Sequence, residues 1–299
     1  MMKKRDRKIK VIPQSGILQK SELVDKFTNF LVRFSETLLL NDEEIKVLTF
    51  DSNLRFLEHI SKINDKLQKE SNFYFPIDFI DKDVFYIFVI EPFVLLNLEQ
   101  IVNLSHSELK VKAALSISHF YLHNSPDYYI LPVTPDWFEL QHMFQFNKVI
   151  INSGFFLLCD AVREYEAMRL VVSELIKHEK TLSEFAISIL NTFIMKDIVW
   201  QLTYKNEPFT FVFFMNIIRE MSKIVPIMTI PDKTSKLLNH KIDQLRNKLS
   251  YTFRRNFDWI LFDLFSRFGN DTFRNIRIAS NIILALIQET FTKMRSFTL

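Results

Sequence analysis

The most restrictive feature of this chain is a long run of regularly spaced apolar residues between positions 231 and 268. They recur every three or four positions and are Leu238, Ile242, Leu245, Leu249, Phe253, Phe257, Ile260, Leu264 and Phe268. This spacing places the side chains on one face of a helix with 3.6 residues per turn. Pro231 suits the entry to such a helix and Gly269 its exit. The pattern predicts one long helix with other helices packed along it.

Glycine is so scarce that several kinds of catalytic site are excluded. The 299 residues contain only Gly16, Gly154 and Gly269. Walker, dinucleotide-binding and kinase phosphate loops need glycines a few residues apart, because only glycine lets the backbone approach a phosphate closely. The nucleophile elbow of α/β-hydrolases needs closely spaced glycines as well. Tight hairpins also favour glycine, so we do not expect a many-stranded β-fold.

Helical periodicity extends through most of the remaining chain. Asn41 and Glu44 resemble a capping box and predict a helix through residues 45–67, broken or bent near Asp51 and Ser52. Residues 71–98 leave two alternatives, a small β-hairpin or a proline-broken buried helix over 84–98. We therefore expect a mostly all-α protein. It would be a multi-helix bundle or an irregular array of antiparallel helical pairs around the long C-terminal helix.

The expected organisation is a basic flexible tail over 1–20, an N-terminal helical region over 21–135 and a C-terminal helical region over 136–299. The last two could also form one continuous domain. No apolar run reaches the roughly 18 residues of a membrane span. Pro13 and Gly16 interrupt the segment where a secretion signal would need an apolar core. We expect a cytoplasmic protein, with peripheral membrane contact as the alternative.

Charge is unevenly distributed along the chain, whose formal net charge is +3. The basic residues are concentrated at both ends of the chain. Because the total charge is only +3, the middle of the chain is acidic. On the long predicted helix, Lys241, Lys248 and Arg255 recur every seven residues, with Arg254 beside them. Such basic groups can bind nucleic-acid phosphates, anionic lipid or an acidic protein surface. The corresponding candidates in the N-terminal tail are Lys3, Lys4, Arg5, Arg7 and Lys8.

Histidines occur at spacings that metal sites use, but the patterns are incomplete. His119 and His123 would share a helix face, and Glu139 and His142 have the Glu-x-x-His form of di-iron bundles. Only one such Glu-x-x-His motif is present, and Phe120 stands where a zincin needs glutamate. We expect no metal and no cofactor, with these three histidines as the only candidates. Cys159 is the sole cysteine, which excludes an internal disulfide and indicates a buried structural thiol.

These observations lead to three hypotheses about function. The first is a non-enzymatic interaction or scaffold protein that acts as a subunit of a larger cytoplasmic assembly, binding partners through aromatic-rich and charged helical surfaces. The second is a protein that binds nucleic acid or an anionic membrane through its basic ends. The third is a metal-dependent enzyme that uses His119, His123 and His142. The absence of recognisable catalytic motifs favours the first.

Overall fold

The computed structural model describes residues 9–14, 22–38, 44–71, 81–87, 93–123, 137, 139–144, 146–195, 207–230, 233–249 and 251–296. It is mostly α-helical with a small sheet, which confirms the predicted fold class. The chain forms two compact units, Met1–Tyr129 and Ile130–Leu299.

The first unit is an α/β unit. Its elements are β1 (Ile9–Pro13), α1 (Glu22–Thr37), β2 (Ile45–Phe50), α2 (Asn53–Ser71), β3 (Val84–Ile87), β4 (Phe93–Asn97), α3 (Leu98–Ile101) and α4 (His106–His123). The described strands form one sheet in the order β1-β2-β4-β3. β1, β2 and β4 are parallel, and β3 pairs with β4 in the antiparallel sense. Of the two alternatives left open for residues 71–98, the β-hairpin is the one that forms.

Two sequence predictions for this unit are wrong. Residues 9–13, assigned to a flexible tail, form the edge strand β1. Residues 45–50, assigned to a helix, form the central strand β2, and the helix begins only at Asn53. β2 has a nearly continuous buried run, as expected for a strand covered on both faces. Over six residues such a run also fits one side of a helix, and only pairing with β1 and β4 decides between the two.

The second unit is built from helices. They are α5 (Glu139–Phe144), α6 (Lys148–Leu175), α7 (Glu179–Met195), α8 (Glu207–Met228), α9 (Lys233–Lys248), α10 (Tyr251–Trp259) and α11 (Thr272–Ser296). A five-residue stretch of wider helical turns, Ile260–Leu264, follows α10. α6 packs along α8, and α11 packs on α6. Within the described ranges, no helix combines the length and the apolar character that crossing a membrane requires.

Gly154 allows α6 and α8 to approach closely. A Cβ atom at this position would lie 2.3 Å from two ring carbons of Phe211 on α8. Because such a contact is impossible, only glycine fits here without a shift of the ring or the helices. α6 runs through Ser153 and Gly154 without interruption.

The predicted continuous helix over 231–268 is instead divided after Lys248. The backbone N–H of Leu249 donates to the carbonyl of Arg246, which tightens the last turn of α9. Arg254 of α10 then donates from Nε to the Arg246 carbonyl and from Nη2 to the Leu249 carbonyl. These bonds satisfy carbonyls that a helix end leaves without partners. Leu245, Leu249 and Phe253 all remain buried, so the apolar spacing does not reveal the break.

Candidate functional site

The basic stripe predicted along the C-terminal helix is not one continuous surface. Lys241 and Lys248 lie on α9, whereas Arg254 and Arg255 lie on α10. Arg254 caps α9, and Nη1 of Arg255 lies 3.5 Å from Oε1 of Glu289 on α11. The two arginines are therefore engaged within the protein. The tail residues Lys3, Lys4, Arg5, Arg7 and Lys8 lie outside the described residues.

Arg246 ties the two helices together across the break. Its Nε lies 2.6 Å from Oδ1 of Asp258, and its Nη1 donates to Oδ1 of Asp243 at 3.0 Å. Hydrogen bonds to Asp258 and Asp243 raise the pKa of the Arg246 guanidinium. The acidic residues that interleave with the basic ones on this surface thus hold the α9–α10 junction.

The histidine candidates do not form a metal site in the part of the chain that the structure describes. His119 is buried in α4, and His123 lies one turn further along the same helix. His142 is exposed on α5 and belongs to the second unit. Among the described residues, no group of three or more His, Cys, Asp or Glu side chains is placed to hold a metal ion.

Cys159 lies in the core of α6 and is fully buried. Burial raises the pKa of its thiol to about 12, with opposing contributions from Arg163 and Asp160. A thiol with such a pKa is almost entirely protonated at neutral pH, and the thiolate is the reactive form. Its position and its pKa agree with the structural role predicted for it.

A buried ionic network connects α6 and α8 in the second unit. Arg219 of α8 is 2% exposed, and its Nε donates to Oδ2 of Asp160 on α6. Its Nη2 lies 3.7 Å from Oε1 of Glu164, which is fully buried, and its Nη1 donates to Glu220 at 2.9 Å. Lys223 also donates to Glu220, at 3.0 Å. Arg163 is buried on the same helix as Asp160. The paired charges of α6 and α8 suit fixing one helix against the other.

The carboxyl edge of the sheet in the first unit has a different character. β1, β2 and β4 end at this edge, because the register pairs Pro13 with Thr49 and Phe50 with Asn97. The antiparallel β3 begins here, with Val84 opposite Leu96. In open α/β sheets, ligands bind outside the carboxyl ends of the parallel strands. We therefore treat this edge as the candidate functional site.

Asn97 at the end of β4 holds the edge together. Its backbone N–H donates to the carbonyl of Asp83 at 2.9 Å. Its side-chain amide donates to the Lys82 carbonyl at 2.8 Å and to Oδ1 of Asn53 at 3.1 Å. Asn97 is fully buried. One side chain thus links the end of β4, the segment before β3 and the first residue of α2.

Glu99 joins the start of α2 to α3. Its Oε2 accepts a hydrogen bond from the Asn53 backbone N–H at 2.7 Å. A carboxylate at a helix N-terminus is stabilised by the unpaired N–H groups and the helix dipole. Arg55 lies in the first turn of α2 and forms an ion pair with Asp51, with its Nη1 3.0 Å from Oδ2. The first turn of α2 is therefore fixed against α3 and presents its outer face to solvent.

Leu54 and Val102 are the most exposed large apolar side chains in the described part of the chain, at 67% and 62%. Leu54 follows Asn53, and Val102 lies three residues after Glu99 on the same side of that helical turn. The Asn53–Glu99 hydrogen bond therefore brings the two segments together. A single exposed leucine needs no explanation, but two exposed apolar groups on segments that are joined at a ligand-binding edge do. We name Leu54, Val102, Asp51, Arg55 and Glu99 the edge surface.

Sequence reasoning did not identify the edge surface. Its signal was available in the run Asp51-Ser52-Asn53, which follows a buried apolar segment as polar residues do at the end of a parallel strand. That signal was hidden because residues 45–50 were assigned to a helix. Conversely, Phe262 is the only exposed phenylalanine among those with described side chains. Most phenylalanine side chains in the described ranges pack in the core.

Comparison with known proteins gave no match to any family model, curated protein or solved structure.

Proposed function

We propose that this protein is a non-enzymatic interaction subunit of a larger cytoplasmic assembly, and that the edge surface binds a partner protein. The observation that carries the proposal is that Leu54 and Val102, on segments joined by the Asn53–Glu99 hydrogen bond, are both exposed at the edge where α/β sheets bind ligands. Exposed apolar side chains surrounded by charged groups have the composition of a protein interface, with an apolar centre and a polar rim. Asp51, Arg55 and Glu99 would form that rim.

Photo-crosslinking tests the proposal. A photoreactive amino acid replaces Val102 in the full chain, and a second protein carries it at Leu237, which is 47% exposed on α9. We expect one protein from the native cell to crosslink from position 102 and not from position 237. That protein is identified and purified, and its affinity for the unmodified chain is measured.

The affinity comparison uses variants that match in chemistry. Leu54→Ser with Val102→Ser removes the apolar centre, whereas Leu237→Ser with Ile176→Ser removes two exposed apolar groups from the second unit. Truncating central interface residues costs about 1–2 kcal/mol each, so the edge variant should bind at least ~10-fold more weakly. The control variant should bind as the wild type does. Equal affinities for wild type and edge variant would refute the proposal.

A further inference from the structure

The break between α9 and α10 is not caused by a residue that ends helices. Residues 245–255 contain neither glycine nor proline, and only Leu249 and Ser250 separate the two helices. The buried Leu245, Leu249 and Phe253 keep the spacing of one helix across the break. The local sequence is therefore compatible with a continuous helix as well as with a turn.

The turn is held by polar contacts at the α9–α10 junction. Arg254 donates from Nε to the Arg246 carbonyl at 3.1 Å and from Nη2 to the Leu249 carbonyl at 3.4 Å. Nη2 of Arg246 donates to Oδ2 of Asp258 at 2.7 Å, and these two side chains are 34% and 29% exposed. Ion pairs that solvent reaches contribute little to stability. In a continuous helix, backbone N–H groups four residues further on would bond to the same two carbonyls.

Straightening the junction within one molecule would separate surfaces that are buried. α9 packs on α7, and the Phe253 ring of α10 packs against Phe214 of α8 with centroids 5.8 Å apart. Further along the chain, Thr272 and Asn275 on α11 donate to Glu166 of α6 at 2.7 Å and 2.9 Å. A single extended molecule would lose such contacts, whereas two molecules can supply them to each other.

We propose that two copies of this chain form a domain-swapped dimer, in which residues 251–296 of each copy pack on α6 and α8 of the other. The exchanged segment keeps its contacts but makes them between copies. The packing free energy therefore cancels, and the α9–α10 junction decides between monomer and dimer. A short connection between packed elements favours such an exchange. The exchanged segment belongs to the second unit, so this inference is independent of the edge surface.

Size-exclusion chromatography with light scattering tests whether the dimer forms. The full chain is refolded from urea at increasing concentration, because exchange requires the segment to leave its own copy. The dimer fraction should rise with concentration. Insertion of Gly-Ser-Gly after Ser250 lengthens the connection, so the chain can turn back easily and should remain monomeric.

Arg254→Met tests the junction itself, because it removes the contacts that hold the turn. If those contacts favour the turn about 10-fold, the dissociation constant of a dimer with two junctions should fall about 100-fold. Arg255→Met is the matched control. Arg255 and its partner Glu289 both lie in the exchanged segment, so this variant should dissociate as the wild type does. Equal dissociation constants for the wild type and Arg254→Met would contradict the proposal.

A crosslink distinguishes exchange from an association of two intact monomers. Nε2 of Gln288 on α11 donates to Sδ of Met143 on α5 at 3.6 Å. Met143→Cys with Gln288→Cys introduces two thiols that a short bismaleimide can join, while the native Cys159 is buried. In the dimer fraction the reagent should link the two copies, giving a covalent dimer on a denaturing gel.

Two outcomes would overturn the exchange. The first is a dimer fraction whose crosslink stays within each chain, which would show that intact monomers associate through their surfaces. The second is a wild type and an Arg254→Met variant that both remain monomeric at every concentration. In the monomer fraction, the same crosslink should always stay within one chain.

Discussion

The two units of this protein use charged side chains in opposite ways. Between α6 and α8, Arg219 and Glu164 are buried, and their charges are neutralised by neighbours on the same two helices. At the carboxyl edge of the sheet, Asp51, Arg55 and Glu99 stay exposed to solvent beside Leu54. Buried ions are tolerated only when they are paired, so the first arrangement constrains packing. The second leaves charged and apolar groups available to another molecule.

This contrast indicates where function should be sought. A buried network of paired charges is conspicuous in a structure, yet its members have their partners inside the protein. The edge surface is less conspicuous because its ion pairs are ordinary and weak. It nevertheless combines exposure, apolar character and a position that is used for binding in related architectures. Substitutions should therefore affect stability in the first region and binding in the second.

The largest effect on stability is expected for Arg219→Met. The variant leaves Asp160 and Glu164 without their shared cation in a buried setting. Breaking a buried ion pair by removing one partner typically costs about 3–5 kcal/mol. Urea denaturation should show a loss of this size in the free energy of unfolding.

Arg255→Met is the matched control, because it removes an arginine whose ion pair with Glu289 is exposed, at 65% and 39% for the two side chains. Exposed pairs contribute about 0–1 kcal/mol. A similar loss of unfolding free energy in both variants would mean that burial does not determine how much the two ion pairs contribute to stability.

A smaller loss is expected for Gly154→Ala, which tests the close packing of α6 on α8. The added methyl group would collide with the Phe211 ring, and overpacking of a core usually costs about 1–3 kcal/mol. Gly269→Ala adds the same atom where no heavy atom lies within 4 Å. Thermal denaturation of both variants should show destabilisation at position 154 alone. Equal melting temperatures for Gly154→Ala and wild type would mean that the helices can separate without cost.

Asn97→Ala should weaken the first unit without affecting the second. It removes the amide that bonds to Lys82 and Asn53, and leaves those acceptors to find water. The expected cost is about 1–3 kcal/mol. Hydrogen exchange of β3 and β4 should accelerate, whereas Asn103→Ala, at an exposed position nearby, should leave exchange unchanged. Unaltered protection in Asn97→Ala would show that the edge is held by the backbone ladder alone.

The smallest effect is a pH dependence due to Glu166. Burial raises the pKa of this carboxyl, opposed by hydrogen bonds from Thr272 and Asn275. A raised pKa means that the folded protein binds the proton more tightly than the unfolded chain does. The contribution of Glu166 to stability is therefore present below about pH 4.3, the ordinary value for glutamate, and is lost as pH rises through the folded pKa.

Glu166→Gln removes this dependence. The free energy of unfolding of the wild type, minus that of the variant, should fall as pH rises from about 4 to about 8. Urea denaturation at several pH values measures it, with Glu174→Gln as a control for losing a carboxyl from the exposed side of α6. A difference in the free energy of unfolding that rises with pH would contradict the upward shift assigned to the pKa of Glu166.

The sequence predicted the helical character of the chain, because that follows from local spacing, and it left the β3–β4 hairpin as one of two alternatives. It could not predict the parallel pairing of β1 with β2, since that pairing depends on residues far apart in sequence. The break after Lys248 escaped notice for a related reason. Leu249 and Phe253 keep helical spacing across it, and the cap that stabilises it comes from the side chain of Arg254.

The candidate site could be predicted from the sequence even less than the fold could, because it depends on tertiary structure. Leu54 and Val102 are far apart in the chain, and only the folding of β2 and β4 into neighbouring strands brings their segments together. The predicted basic stripe, in contrast, is not formed as one continuous surface. Its seven-residue spacing was a property of one continuous helix, and with the break Arg255 pairs instead with Glu289.

Hydrogen exchange of the full chain, with and without the purified partner identified by crosslinking, tests the central claim most directly. If the edge surface binds the partner, the amides of residues 51–55 and 98–103 should exchange more slowly in the complex, while those of α9 should not change. Protection confined to α9 and α10, with unchanged exchange at 51–55 and 98–103, would contradict the account and place the interface in the second unit.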